Sequence, residues 1–515
     1  MIRRPRFMLL VALTSGCLAA AVLMAVELPG ARQVARASGL VPGTHTIRRA
    51  ITSDPGGLPD QLDADAAGPA SAPERVHAHA RLNVVFILSD DERVQGNAVM
   101  KNVRHLLAAH GVTFSNFDVT TSQCGPSRAS ILTGQYSHHT GVTDNFGPHG
   151  YPAFDEGSDL ADWLHRAGYE TALVGKYLND YSLDGDNAVP PGWDDWQAID
   201  SVPLERYYDY DLNENGHIAH FGDTPSDYST TVLTARALAF LRTARRPFFL
   251  YFAPVAPHLP AIPAPQDVGK LDSLPPFASP SLNQVNIAAE PWGSYHSRTL
   301  NHAGIAYTAD VRRRQLESLL SLDRAVKEIV DTLAQRHELD RTVIFYTSDN
   351  GFLWGEHRLG GKLWPYSEST HVPLVVRTPW KAANGTVNDA PVLNIDFAST
   401  ISELAGISPG QPQDGESFVP MLHGEKMPWR KDYLIEYLGE NALRVGGPPP
   451  YVAIRTSRYL YVEYDYHGWQ ELYDLRHDPW ELRNSASDPA YASTVQRLRR
   501  ELRRLYETPP HRAPS

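Results

Sequence analysis

Cys124 opens a stretch, Thr121-Ser122-Gln123-Cys124-Gly125-Pro126-Ser127-Arg128-Ala129-Ser130-Ile131-Leu132-Thr133-Gly134, that reads as a turn entering a helix. Pro126 suits a first helical position, where its missing N–H would be unpaired anyway, and Gly134 can close the helix. A cysteine at a helix N-terminus meets orphan N–H groups and the positive end of the macrodipole, which favour negative charge. Arg128 lies four residues on, one turn away on the same face. A nucleophile and a fixed cation thus share one anion-binding helix end. The competing reading is a buried structural cysteine ahead of a capped helix. Asp90-Asp91 and Asp349-Asn350 add hard oxygen ligands, which suit Ca²⁺ or Mg²⁺ rather than zinc. Either pair alone could simply cap a following helix. No His-x-x-x-His or paired-cysteine zinc pattern is present.

These residues need a scaffold that brings distant segments together. Val84 to Leu88 is a continuous apolar run of strand length, as expected for a strand buried on both faces. Strand-like runs recur at 169–174, 247–252, 342–346 and 374–377. Helical patterns at 99–109, 160–167, 231–243, 316–333 and 396–405 alternate with them. Alternation of this kind implies βαβ units and an α/β fold with a large, mostly parallel or mixed sheet sandwiched by helices. Asp90, Asp91, Lys176, His258, Asp349 and Asn350 each follow the C-terminal end of a strand. Open α/β sheets bind ligands at that edge, so strand order alone groups them at one rim. The proline-rich segment 260–297 reads as a long surface loop beside the site.

After Pro420 the pattern becomes short strands at 433–437, 451–455, 459–464 and 470–474, then an arginine-rich amphipathic helix at 495–506. We divide the chain into an N-terminal segment (1–37), a flexible Ala/Gly/Pro/Asp-rich linker (38–82), a catalytic domain (83–420) and a smaller C-terminal α+β domain with an antiparallel sheet (421–515). The first segment pairs a basic start with an apolar run from Phe7 to Val26, and Ala35-Arg36-Ala37 offers a cleavage site. This predicts export, to a secreted, cell-surface or periplasmic location. Membrane attachment follows only if the segment stays uncleaved as an anchor. The formal net charge of −12 argues against nucleic acid as a partner. Of the two cysteines, Cys17 and Cys124, only the second lies beyond the leader, so a chain from which the leader is cleaved cannot form an internal disulfide.

Cys124-Gly125-Pro126-Ser127-Arg128, with Leu132-Thr133-Gly134 behind it, resembles the signature of the type I sulfatases, of the alkaline phosphatase-like superfamily. The resemblance spans about residues 83–485, and Glu471-Leu472-Tyr473-Asp474-Leu475 resembles the family's closing segment. It implies that a maturation enzyme converts Cys124 to Cα-formylglycine, whose hydrate is the nucleophile. It implies a divalent cation, usually Ca²⁺ with Mg²⁺ as the alternative, held by Asp90, Asp91, residue 124, Asp349 and Asn350. Lys176, in Gly175-Lys176-Tyr177, matches the lysine that contacts sulfate; His258 and Lys362 match a sulfate-binding histidine and a lysine bridging sulfate and leaving oxygen.

Where many sulfatases carry a histidine two residues after that lysine, this chain has Leu178 and then Asn179. Gly-Lys-Tyr-Leu-Asn is similar instead to the N-acetylglucosamine-6-sulfatase branch. His138 or His139 is a candidate to fill the missing role, and His357 a candidate supporting or substrate-facing residue, with Asn179 beside them. Trp193 and Trp196 could stack on a sugar or belong to the core. The expected activity is hydrolysis of sulfate monoesters, on a sulfated sugar such as 6-O-sulfated N-acetylglucosamine, with aryl sulfates as surrogates. Asp349 is the candidate base. The alternatives are a phosphodiester or phosphonate monoester hydrolase of the same superfamily, and a noncatalytic surface-binding protein whose Cys124 stays unconverted.

Overall fold

The computed structural model describes residues 81–181, 187–200, 205–245, 247–287, 290, 299–439 and 447–511. The N-terminal segment 1–37 and nearly all of the linker lie outside the described residues. Among the described residues no helix is long and apolar enough to cross a membrane.

The main sheet has ten strands. In chain order they are β1 (Asn83–Ser89), β2 (Gly111–Phe114), β3 (Glu170–Gly175), β4 (Asp195–Ile199), β5 (Tyr210–Glu214), β6 (His217–Phe221), β7 (Phe248–Ala253), β8 (Thr342–Ser348), β9 (Leu374–Arg377) and β10 (Thr386–Asn388). Their order across the sheet is β10-β2-β9-β8-β1-β7-β3-β4-β5-β6. The middle of the sheet, β8-β1-β7-β3-β4, is parallel. The sheet is mixed because β9 runs antiparallel to both neighbours and β5 and β6 form an antiparallel edge.

The apolar run of β1 hides a period of two. Val84, Phe86 and Leu88 face one core, shared with helices α1 (Cys124–Thr133), α2 (Leu160–Arg166) and α5 (Asp396–Ala405). Val85 and Ile87 face the other, shared with α3 (Ser229–Thr243) and α4 (His302–Gln335). Both faces are covered, so alternation is lost from the sequence. Phe86 packs edge-on against Phe397 at 4.9 Å; truncating such a ring to alanine costs about 3–5 kcal/mol.

A second, four-stranded antiparallel sheet follows: β11 (Asp432–Tyr437), β12 (Tyr451–Thr456), β13 (Tyr459–Tyr464) and β14 (Gln470–Asp474). Helix α6 (Ala492–Glu507) covers one face through Val495, Leu498 and Leu502. The other face packs on Leu353, Trp364 and Tyr366, which belong to the loops beyond β8. The Glu436 N–H donates to Thr120 O at 2.8 Å, tying this sheet to the segment that leads into α1.

Some local expectations change. The helix expected at 99–109 is a succession of short turns, with a π-type turn at Val103–Leu107, where the Asp323 carboxylate captures the Asn102 and Val103 N–H groups. Strands β4 to β6 carry little hydrophobic pattern, since β6 is largely exposed. Their one legible signal is Asn215-Gly216, both at positive φ (55° and 90°), as a tight hairpin turn requires.

Candidate active site

The ends of four adjacent parallel strands build one rim. Asp90 follows β1, Lys176 follows β3, His258 lies just beyond β7 and Asp349 follows β8. Their backbones extend the ladder: Lys176 N–H donates to Ala253 O at 2.7 Å and Asp349 N–H to Ser89 O at 3.1 Å. Gly175 makes the first of these approaches possible, because a Cβ there would stand 2.1 Å from Ala253 O at a φ of +122°. α1 delivers Cys124 as its first residue and ends at Gly134, which is left-handed. Pro126 is therefore the third helical residue rather than the first, still within the turn whose N–H groups lack helical partners. The Gly125 N–H is taken by Asn145 Oδ1 at 2.8 Å.

Around Cys124 every carboxylate is held by a cation or an amide. Asp90 receives Lys176 Nζ at 2.6 Å on Oδ2, and Arg128 Nη2 lies 3.4 Å from the same oxygen. Asp91 Oδ1 receives Lys362 Nζ at 2.5 Å and Asn350 Nδ2 at 2.6 Å, while His258 Nε2 stands 3.5 Å from Oδ2. Arg128 Nε donates to Asp349 Oδ2 at 2.8 Å. Cys124 Sγ lies 2.6 Å from Lys362 Nζ and 3.6 Å from Asp90 Oδ1. Asp90, Asp91, Arg128, Lys176, Asp349 and Asn350 are almost wholly buried.

Burial shapes the charges. It would raise the Asp90 carboxyl, but Lys176, His258, Arg128 and Lys362 outweigh it and hold that carboxyl far below the usual range. Burial, then the charge of Asp90, pushes the Asp349 carboxyl up. Burial and Asp90 likewise push the Cys124 thiol well up, despite Lys176 and Lys362. An unmodified Cys124 is thus a poor thiolate here. Burial works against a charged Lys362, and Asp91, Cys124 and Asp90 more than restore it.

The donor set can hold a metal ion. Asp90, Asp91, Cys124 and His258 offer ligand atoms that all lie within 4.8 Å of one another. Asn350 spends its Nδ2 on Asp91 and Gly351 O. Its Oδ1 is buried without a hydrogen-bond donor. A buried amide oxygen left in that state is costly unless a ligand meets it.

Residues 82–407 match the family model described as Sulfatase. The chain belongs to the sulfatase family. As a sulfatase it hydrolyses sulfate esters. Residues 355–508 also match the model described as N-sulphoglucosamine sulphohydrolase, C-terminal. An N-acetylglucosamine-6-sulfatase of Capra hircus is 33% identical over 452 residues, covering 79% of this chain and 80% of the relative. That of Homo sapiens is 36% identical over 379 residues, covering 70% and 68%. A solved structure in complex with its substrate D-glucosamine-2-N,6-O-disulfate is 25% identical, with a TM-score of 0.71 over 82% of this chain and 97% of its own. A phosphonate monoester hydrolase of Agrobacterium radiobacter, 23% identical, shares the fold with a TM-score of 0.67 over 83% of this chain and 95% of its own.

Other candidate residues of this sulfatase lie elsewhere. Leu178 is buried in the apolar core. His138 does not stand in for a histidine there: its contacts are with Glu436 (Nδ1 to Oε2, 2.8 Å) and the rings of Tyr136, His139 and Tyr506. His139 pairs with Asp414 at 2.8 Å. The α1–β11 seam, not the sheet rim, takes both. His357 is fully buried. It stacks on Tyr366, bonds Gln284 Oε1 at 2.9 Å and lies 3.7 Å from Glu368 Oε2, behind the loop that carries Lys362. Trp193 and Trp196 are core, packed with Tyr177, Tyr181, Phe249 and Tyr251. Asn179 does reach the rim, where its Nδ2 lies 3.4 Å from Glu205 Oε1. Glu205 is a rim residue that sequence reasoning missed: its Oε1 also accepts from Lys176 Nζ at 2.9 Å. Nothing in its local sequence marks it, and only the fold brings it to the lysine.

Proposed function

We propose that this sulfatase removes the 6-O-sulfate of N-acetylglucosamine or a closely related glucosamine unit, using a formylglycine made from Cys124. The observation that carries this reading is the cation-lined pocket around Cys124 in a chain similar to N-acetylglucosamine-6-sulfatases over most of its length. The segment Gly175-Lys176-Tyr177-Leu178-Asn179 supports the same branch.

A formylglycine at residue 124, formed by a maturation enzyme, would supply two hydrate oxygens on one carbon, a nucleophile and a route for sulfate release that plain cysteine lacks. Cys124 Sγ stands in for those oxygens on the same carbon. Asp90, Asp91, Asp349 and Asn350, with residue 124, would hold Ca²⁺ or Mg²⁺, whose charge offsets that of the sulfate. Asp349 is the candidate base, because its raised carboxyl, held by Arg128, takes a proton more readily than Asp90, which nearby cations keep far below the usual range. Lys176 and Arg128 supply fixed positive charge against the sulfate oxygens. Lys362 and His258 stand on the Asp91 side, where a proton can pass to the leaving alcohol.

The catalytic unit spans residues 83–420, with 421–515 as a packed C-terminal domain. The basic and apolar N-terminal segment supports export, as do relatives named as extracellular sulfatases of Caenorhabditis elegans and Drosophila melanogaster.

The test is a mass measurement on the tryptic peptide containing Cys124, from protein made beside a formylglycine-generating enzyme, followed by substrate comparison. We expect loss of sulfur, and sulfate release from 6-O-sulfated N-acetylglucosamine faster than phosphate-ester or phosphonate hydrolysis. Converted protein that prefers phosphonate monoesters would move the reading to that branch of the superfamily. An unconverted thiol in active protein would end it.

A further inference from the structure

The residues Glu205 to Tyr207 lie across the rim, and no step above uses them. Glu205 is 8% exposed. Its Oε1 accepts from Lys176 Nζ at 2.9 Å and from Asn179 Nδ2 at 3.4 Å. Two residues on, the Tyr207 hydroxyl donates to His258 O at 2.8 Å, and Ser229 N–H donates to Tyr207 O at 2.9 Å. The Tyr207 ring is buried beside Tyr228. One short segment therefore grips both the Lys176 side and the His258 side of the site.

A carboxylate beside an anion-binding lysine is unfavourable for binding sulfate unless it does something else. The lysine geometry says what. An ammonium has three N–H groups. On Lys176 one goes to Asp90 Oδ2 at 2.6 Å and one to Glu205 Oε1. With two directions fixed by two carboxylates, the third is fixed as well. Asp90 alone would leave the ammonium free to turn about that one bond. Burial opposes charge on Glu205, yet Lys176 holds its carboxyl down to about 2, so it is an anion at neutral pH.

We infer that Glu205 is a positioning residue for Lys176: with Asp90 it orients the ammonium so that the remaining N–H faces the bound sulfate. Asn179 donates to the same carboxylate oxygen at 3.4 Å. Position 178, which offers only a buried leucine, contributes no polar contact to this alignment. The inference rests on the sulfatase reading of the Cys124 site.

The experiment uses the converted full chain and its Glu205→Ala, Glu205→Gln and Glu205→Asp variants on whichever sulfate ester the wild type turns over best. Misplacing a catalytic group by about 1 Å costs on the order of 10²-fold. We expect Glu205→Ala to lower kcat by about 10- to 100-fold while KM stays within about 3-fold. Glu205→Gln keeps an oxygen for Lys176 and Asn179 and recovers most of the rate. Glu205→Asp retracts the acceptor by a methylene and behaves like the alanine variant, which preserves the test if Glu205→Ala does not fold. Unchanged kcat in Glu205→Ala or Glu205→Asp, a change confined to KM, or a glutamine variant as slow as alanine each overturns the proposal. A crystal structure of Glu205→Ala gives a readout independent of turnover: Lys176 Nζ shifts by about 1 Å or loses its order, and an unmoved Lys176 overturns the proposal. A wild type that is converted but inert on every sulfate ester defeats the sulfatase reading instead, so the two failures are distinguishable.

Discussion

Two buried groups of carboxylates, cations and histidine flank the loops beyond β8. At the sheet rim, Asp90, Asp91, Asp349 and Asn350 surround Cys124 with Arg128, Lys176 and Lys362. At the seam with the C-terminal sheet, His357, Glu368 and Glu481 gather with Arg455 around Tyr366 and Ser367. By composition they are alike. They differ in what their polar groups surround. In the seam Glu481 accepts from the Ser367 N–H and hydroxyl and from Arg455, and Glu368 accepts from Ser281. Its rings belong to the core. At the rim three cations converge near one sulfur, and Asn350 Oδ1 has no protein donor. The seam has an orphan of its own, His357 Nε2, 3.7 Å from Glu368 Oε2; the rim is set apart by Cys124 at a helix N-terminus with Lys362 and Lys176 beside it.

That contrast can be broken by experiment. The largest effect belongs to Cys124→Ala, which should cut turnover by more than about 10³-fold while the melting temperature moves by only about 3 °C or less. Full activity in that variant sinks the mechanism. Next comes a matched pair. Lys362→Met should lower kcat on the order of 10²- to 10³-fold. Arg455→Met should leave kcat near wild type and destabilise by about 3–5 kcal/mol, because Glu481 keeps a buried charge without its cation. Steady-state kinetics and denaturant titration on both variants check the pair, and a catalytic defect in Arg455→Met would merge the two regions. Exhaustive chelation should abolish turnover and added Ca²⁺ or Mg²⁺ restore it; activity that survives chelation argues against the hard-cation site.

The smallest effect concerns His138. Burial works to lower its pKa, but Glu436 outweighs burial and raises it above the ordinary value. A histidine whose folded value is raised stabilises fully below its unfolded value of about 6.5, and the contribution is lost as pH rises through the folded value. The melting-temperature difference between wild type and His138→Asn should be largest near pH 6 and shrink toward pH 9, with kcat/KM unchanged. A difference that grows with pH would contradict the Glu436 pairing.

Much of the rim was legible before the fold was known. Asp90, Lys176 and Asp349 each end an apolar run, and the edge rule for parallel sheets needs no more than that. The two histidine assignments show the limit. His138 lies four residues past Gly134 in sequence, but α1 points its C-terminal end away from Cys124, so chain proximity misled. His357 sits five residues before Lys362 and is still buried behind it. β2, β10 and the β5–β6 edge escaped because short or exposed strands carry little periodicity.

The sequence by itself determined the chemistry. A cysteine, an arginine one turn on, paired carboxylates and a lysine at strand ends point to a nucleophile beside an anion-binding helix end from residue type and local order, and the resemblance to the sulfatases adds Lys362. Only the tertiary structure decided which polar groups share that site. Glu205 reaches Lys176 from 29 residues away in the chain, and His357 is paired with Gln284 and stacked on Tyr366. Such pairings depend on which loops the packed sheet edge brings within about 3 Å of one another, a distance that no local pattern encodes.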